Sequence, residues 1–305
     1  MDLNINRDFA TVQHQSDDYI IGKNTGARKY TTKTSIVGKF SSVNASLQAV
    51  KSHFPYPAGE AASIRIGGGG FNTFRTYEDT LTTFLDNPQS LVEKDKIVRQ
   101  TIIEQNTPGN TVEYDYQGDY LDIGKFLEGE PECFGNSSWG KTTVRFLKIN
   151  IAAGINGWVT ASDCLHRAKK ITNLVDWLEA NNVRVAIDVW DISECELYQI
   201  KVKDFNNPLQ LPDLAIVSHP EFLRRILFRY NEHSDTHQAG YGTTDRLNPF
   251  ISNLYNEMEG GTALAVGHEW DSKQNIDDNF EAFEAGIRDR VMNNEDLEGQ
   301  FTILM

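Results

Sequence analysis

The sequence predicts an α+β or α/β fold: a small mixed sheet with flanking helices, preceded by a flexible basic N-terminal arm and followed by an acidic C-terminal segment. Three observations predict it. A strand, a helix and a second strand follow one another between Thr143 and Ile192, and a crossover of that length is the mark of a βαβ unit. Helical stretches with caps lie on both sides of this unit. The charge is unevenly spread: Tyr19 to Gly59 holds six basic residues and no acid, whereas Ser252 to Met305 holds twelve acids and three basic residues.

The elements are read in chain order as three zones: 1–59, 60–250 and 251–305. The first is rich in Thr, Ser, Lys and Gly with few large apolar residues, a composition that buries little surface and reads as an extended arm. In the second zone, Thr76 with Glu78 and Asp79 starts a helix carrying Leu81, Phe84 and Leu85. A further helix follows Pro88. "TVRFLKINIAAG" (Thr143–Gly154) alternates as a strand, with Val144, Phe146, Ile149 and Ile151 turned inward. Thr160–Asn182 then places Cys164, Leu165, Ala168, Ile171, Val175 and Leu178 at helical spacing. "VRVAIDVWDI" is an apolar strand, "CELYQIKVKDF" another, and "SHPEFLRRILFRYNE" a helix with Pro220 in its first turn. In the third zone "EGGTALAVGHEW" suggests a short strand, and "NNEDLEGQFTILM" is acidic and then apolar.

Composition narrows the function classes. The chain has 305 residues, 39% of them hydrophobic, enough for a real core. No apolar run approaches the roughly 18 residues of a membrane span, and the first residues lack a signal pattern. Cys133, Cys164 and Cys195 are isolated, so neither a disulfide framework nor a Cys-x-x-Cys zinc site is expected; a cytoplasmic location fits. The net charge of −14 alone argues against nucleic acid, but the asymmetry along the chain points to a partner.

No catalytic constellation emerges, and no cofactor or metal is expected. "GGGG" at Gly67–Gly70 is followed by Phe71, Asn72 and Thr73, not by the Lys and hydroxyl of a phosphate loop. It reads as a flexible junction or a turn. His233 and His237 have i, i+4 spacing but lack the Glu of a zinc-protease motif. "DISEC" (Asp191–Cys195) resembles the Asp-x-Ser-x-Ser metal loop of von Willebrand A domains, but Cys195 replaces an oxygen donor, and a strand-end turn accounts for it. Cys164 reads as core.

Binding of unpaired nucleic acid needs cations along a groove with aromatics on which bases stack. The arm offers Lys23, Arg28, Lys29, Lys33 and Lys39. The glycine stretch offers Arg65, Phe71, Phe74 and Arg75. Trp139, Lys141 and Arg145 come from the strand region, and Arg224 and Arg225 from the last helix. The acidic end would compete with phosphates for such a groove.

"YLDIGKFLEGEPECFG" (Tyr120–Gly135) and "SHPEFLRRILFRYNE" (Ser218–Glu232) resemble a family of uncharacterised proteins in tailed bacteriophages and prophages. Gly129, Pro131, Glu132 and Cys133 match one motif of that family; His219, Pro220, Leu223, Arg224 and Arg225 match the other. In size and layout the chain is also similar to the Drc-type single-stranded-DNA-binding RNA polymerase cofactors of N4-like podoviruses. That likeness implies single-stranded DNA and a phage RNA polymerase as partners, self-association through the arm, and the host cytoplasm. The competing expectations are a von Willebrand A-like interaction module working with an ATPase, and a phage protein with protein partners alone.

Overall fold

The computed structural model describes residues 11–28, 31–54, 77–95, 111–117, 120–138, 144–153, 161–192, 196–232, 273–293 and 301–303. Its centre is a seven-stranded mixed sheet built from β1 (Thr11–Gln15), β2 (Tyr19–Arg28), β3 (Thr31–Phe40), β7 (Arg145–Ala152), β8 (Val183–Ile192), β9 (Glu196–Lys203) and β10 (Phe301–Ile303). The spatial order is β1-β2-β3-β9-β8-β7-β10. β1, β2 and β3 form an antiparallel meander, β3 runs parallel to β9, β9 antiparallel to β8, and β8, β7 and β10 are mutually parallel. A separate three-stranded sheet contains β4 (Thr111–Asp115), β5 (Tyr120–Leu121) and β6 (Phe134–Ser138). The mixed α/β class expected from the sequence is the one observed.

The flexible arm is not observed in residues 11–28 and 31–54. They supply three strands and α1 (Val43–His53). Ile21, Val37, Phe40, Val43, Leu47 and Val50 are all at most 1% exposed, and burying each such side chain stabilises by about 1.5–3 kcal/mol. The few large residues of this zone are therefore its anchors. α1 starts at Ser42, whose hydroxyl accepts from the Ala45 amide at 3.1 Å, an N-cap. The rings of Tyr19, Phe40, Phe54 and Tyr230 form a chain with centroids 5.1–6.3 Å apart. The Tyr230 hydroxyl donates to the Ser46 carbonyl at 2.6 Å, and the Arg229 guanidinium to the Phe54 carbonyl at 2.9 Å. β3 and β9 approach so closely at Gly38 that a Cβ there would lie 2.7 Å from Cδ1 of Tyr198.

Strand parity gives the sheet two unlike faces. On one, Leu147, Ile149 and Ile151 join Val183, Val185, Ile187 and Val189, all buried. This face is packed by α1 and α5 (Ala161–Ala180). The expectation that Val144 and Phe146 turn inward is corrected: they are 45% and 56% exposed. A one-residue change of parity exchanges faces, and the inward set begins at Leu147. On α5 the expected apolar positions are all buried. Lys203, 2% exposed, ties the core to that helix through Glu179 at 2.7 Å and the Val185 carbonyl at 2.7 Å.

The expected helix after Ser218 is divided. α6 (Leu211–Ser218) ends at His219, a π-helical turn spans Phe222–Leu227, and α7 (Phe228–Glu232) follows. The helices expected near Thr76 and Pro88 appear as α2 (Tyr77–Asp86) and α3 (Gln89–Asp95). Two pieces of the acidic segment belong to the fold: α8 (Lys273–Met292) packs on α5, and β10 adds to the sheet beside β7. Among the described residues no helix is long and apolar enough to cross a membrane.

In the small lobe, Ile123–Leu127 forms α4, a single turn held at both ends. The Asp122 carboxylate accepts from the amides of Gly124 (2.9 Å) and Lys125 (3.3 Å), and from the Tyr114 hydroxyl at 2.9 Å. At the other end Gly129 has φ +77°, with its amide bonded to the Phe126 carbonyl and the Glu130 amide to the Lys125 carbonyl. These two bonds and the left-handed residue make a Schellman stop, and Pro131 follows as such stops favour.

Candidate nucleic-acid interface

Of the residues expected to bind nucleic acid, the four whose side chains are described, Lys39, Arg145, Arg224 and Arg225, do not converge on one channel. Arg225 is buried and ion-paired with Glu221. Arg224, beside it, is half-buried, and desolvation pulls its guanidinium below the ordinary value. Arg145 reaches the end of α8 and donates to the Val291 carbonyl at 3.1 Å, satisfying a helix C-terminus and its negative dipole end. Lys39 is 9% exposed and sits between Ile20 of β2 and Gln199 of β9. Arg225 and Arg145 thus have partners within the fold, and Lys39 is buried in the sheet. Lys29, Arg65, Phe71, Phe74, Arg75, Trp139 and Lys141 lie outside the described residues, as do the Gly67–Gly70 run and His233 and His237.

Both motifs that carried the phage resemblance are structural punctuation. Gly129 and Pro131 end α4, and Cys133 is buried, with its carbonyl accepting from the Asp122 amide at 2.8 Å. His219 accepts the Glu221 amide on Nδ1 at 3.2 Å and lies edge-on to Phe84. Asp191 is 2% exposed near the end of β8, opposite Tyr198, and β9 begins at Glu196. Ser193, Glu194 and Cys195 of the "DISEC" stretch lie outside the described residues. Among the described residues no group of three or more His, Cys, Asp or Glu could hold a metal. Burial pushes the Cys164 thiol up to about 11, which keeps it protonated and unreactive at neutral pH.

Three basic positions remain on the β2–β3 hairpin. Asn24–Arg28 and Thr31–Ser35 pair with each other, beyond the register of β1 on one side and of β9 on the other. They make a two-stranded ribbon. Along it, position 33 pairs with Gly26 and position 28 with Thr31, which gives them the parity of Lys39, while position 23 pairs with Ile36 and has the opposite parity. Positions 28 and 33 thus belong to the sheet face opposite α1 and α5.

The same face carries a group that sequence reasoning missed. Phe146 is 56% exposed and lies edge-on to Phe205, with centroids 5.4 Å apart. Its register partner on β8 is Arg184, which is exposed and makes no ion pair among the described residues. Lys148 and Gln199 both engage the Asp188 carboxylate, at 2.9 and 2.7 Å, and Lys201 engages Asp204 at 2.8 Å. Most of this face is buried, with Val37, Asn150, Trp190 and Leu197 at most 1% exposed; the exposed ring and guanidinium at the start of β7 and β8 offer a local stacking platform with a phosphate contact. The sequence signal was present in "RFLK", but the parity assigned to it placed the ring inside.

No curated protein and no solved structure matches the chain. A family model described as a domain of unknown function (DUF7192) matches residues 31–281, from the start of β3 into α8, and the chain belongs to that family.

Proposed function

We propose that the protein binds single-stranded DNA with little sequence preference and without catalysis, using the sheet face that carries Phe146. The observation that supports this most is the register pairing of the exposed Phe146 with the exposed Arg184, which makes no ion pair among the described residues, on the face shared by ribbon positions 28 and 33. Stacking of one base on such a ring contributes about 1–3 kcal/mol, and the ribbon adds charge where no acid lies between Tyr19 and Gly59. The resemblance to Drc-type cofactors would extend the role to melted promoters, with a phage RNA polymerase as the co-purifying partner.

Gel-shift titration with single- and double-stranded oligonucleotides at two salt concentrations tests the reading. Preference for the single strand is expected, with Phe146→Ala weakening it by about tenfold. Arg28→Ala with Lys33→Ala should flatten the salt dependence by about 0.7 per lost contact. Binding that is absent, or indifferent to both sets of changes, sinks the proposal.

A further inference from the structure

The small lobe presents apolar side chains to solvent on an element built to hold them there. α4 buries none of its residues: Ile123 is 66% exposed, Phe126 58% and Leu127 78%. Their i, i+3, i+4 spacing puts them on one stripe of the turn, and Leu121 and Tyr116 extend the apolar surface at 39% and 63% exposure. A five-residue helix is far too short to persist by itself. It persists because Asp122 and the Tyr114 hydroxyl fix its start and the Gly129 stop fixes its end, with Lys125 bound to Glu130 at 2.7 Å and lying over the Tyr114 ring. The turn contributes no core, so its contribution is the surface it displays. Exposed apolar clusters with polar rims mark interaction sites.

The rim names the partner's charge. Thr111–Ser138 contains seven acids and one base, and Asp115, Glu128, Glu130 and Glu132 are exposed around the patch. The single base, Lys125, is already engaged. Such a surface repels nucleic acid and attracts a cationic chain.

We infer that the α4 face is a docking surface for a basic amphipathic helix of a partner protein, whose apolar stripe meets Ile123, Phe126 and Leu127 while its lysines and arginines meet the acidic rim. Helix-on-helix docking uses this i, i+3, i+4 pattern of anchors. The inference is independent of nucleic-acid binding, which it places on the large sheet.

Fluorescence polarisation of the full-length chain with a labelled helical peptide of about 18 residues, alternating Leu and Lys on opposite faces, tests it. An acidic counterpart with Glu for Lys is the control. The basic peptide should bind at least about tenfold more tightly than the acidic one, and Phe126→Ser with Leu127→Ser should remove at least about tenfold of that affinity. Glu128→Lys with Glu132→Lys should weaken it as well, and Arg28→Ala with Lys33→Ala should leave it unchanged. Phe126, Leu127, Glu128 and Glu132 are exposed, so an unchanged melting curve is expected for the variants at these four sites. Equal affinity for the two peptides, or full affinity in the Phe126/Leu127 variant, overturns the inference. So does loss of a concentration-dependent oligomer in that variant by sedimentation velocity, which would make a second copy the occupant.

Discussion

The helix-covered face of the large sheet and the α4 turn of the small lobe use the same residue types in opposite directions. In the first, Leu147, Ile149 and Ile151 are at most 2% exposed; in the second, Ile123, Phe126 and Leu127 are all more than half exposed. The contrast does not come from poor local structure, since α4 is capped at both ends. Apolar content therefore measures stability in one region and display in the other, and the two can be separated by experiment.

The largest effect is expected at Phe40→Ala, which empties a fully buried site ringed by Tyr19 and Tyr230. A loss of about 3–5 kcal/mol in urea unfolding is expected; a loss below about 1 kcal/mol would return the N-terminal strands to the status of an arm. Gly38→Ala comes next, because the new Cβ meets Tyr198 and Phe40, both fully buried. Overpacking of this kind costs about 1–3 kcal/mol, read by the same titration. Gly129→Ala forces a side chain into the left-handed region and should cost about 1 kcal/mol, seen as faster amide exchange in the lobe and not across the sheet.

Acid should separate the regions further. The Tyr114 hydroxyl, helped by the Lys125 and Gly124 amides, holds the Asp122 carboxyl below its ordinary value of 3.8. A lowered value in the folded state means that the contribution is present above about pH 4 and is lost as pH falls through the folded value. Gly124 and Lys125 amides should lose protection there before the β7–β8 amides do. The smallest effect is expected at Leu127→Ser, within about 0.5 kcal/mol of the parent; a cost near that of Phe40→Ala would mean that the stripe is covered and the comparison fails.

How much of this was legible in the sequence depends on residue size and periodicity. α5 and β8 were readable because Cys164, Ala168, Ile171 and Val175 keep helical spacing and a strand rich in Val and Ile follows. β1, β2 and β3 were not, because a reading by large apolar residues passes over Thr31, Thr32, Thr34, Ile36 and Val37, whose β-branching was the available signal. α6 was missed for a related reason: Leu214–Ser218 is buried all round, and a helix without a polar face has no amphipathic period. Within the candidate site, charge alone could not separate Arg145 and Arg225, which close a helix end and an ion pair, from Arg184, which does neither. Phe146 was noticed but assigned to the wrong side, since both parities of β7 begin with one large apolar residue.

The seam between β3 and β9 joins Ile36 to Glu196 and Phe40 to Ile200. A ribosome adding about 5–20 residues per second leaves β3 with a bare edge for on the order of ten seconds before β9 emerges. During that interval Val37 and Phe40 lack their final neighbours, so the nascent chain should be a chaperone client. Pairing across so large a sequence separation should also make refolding from denaturant slow compared with that of a helical bundle of equal length.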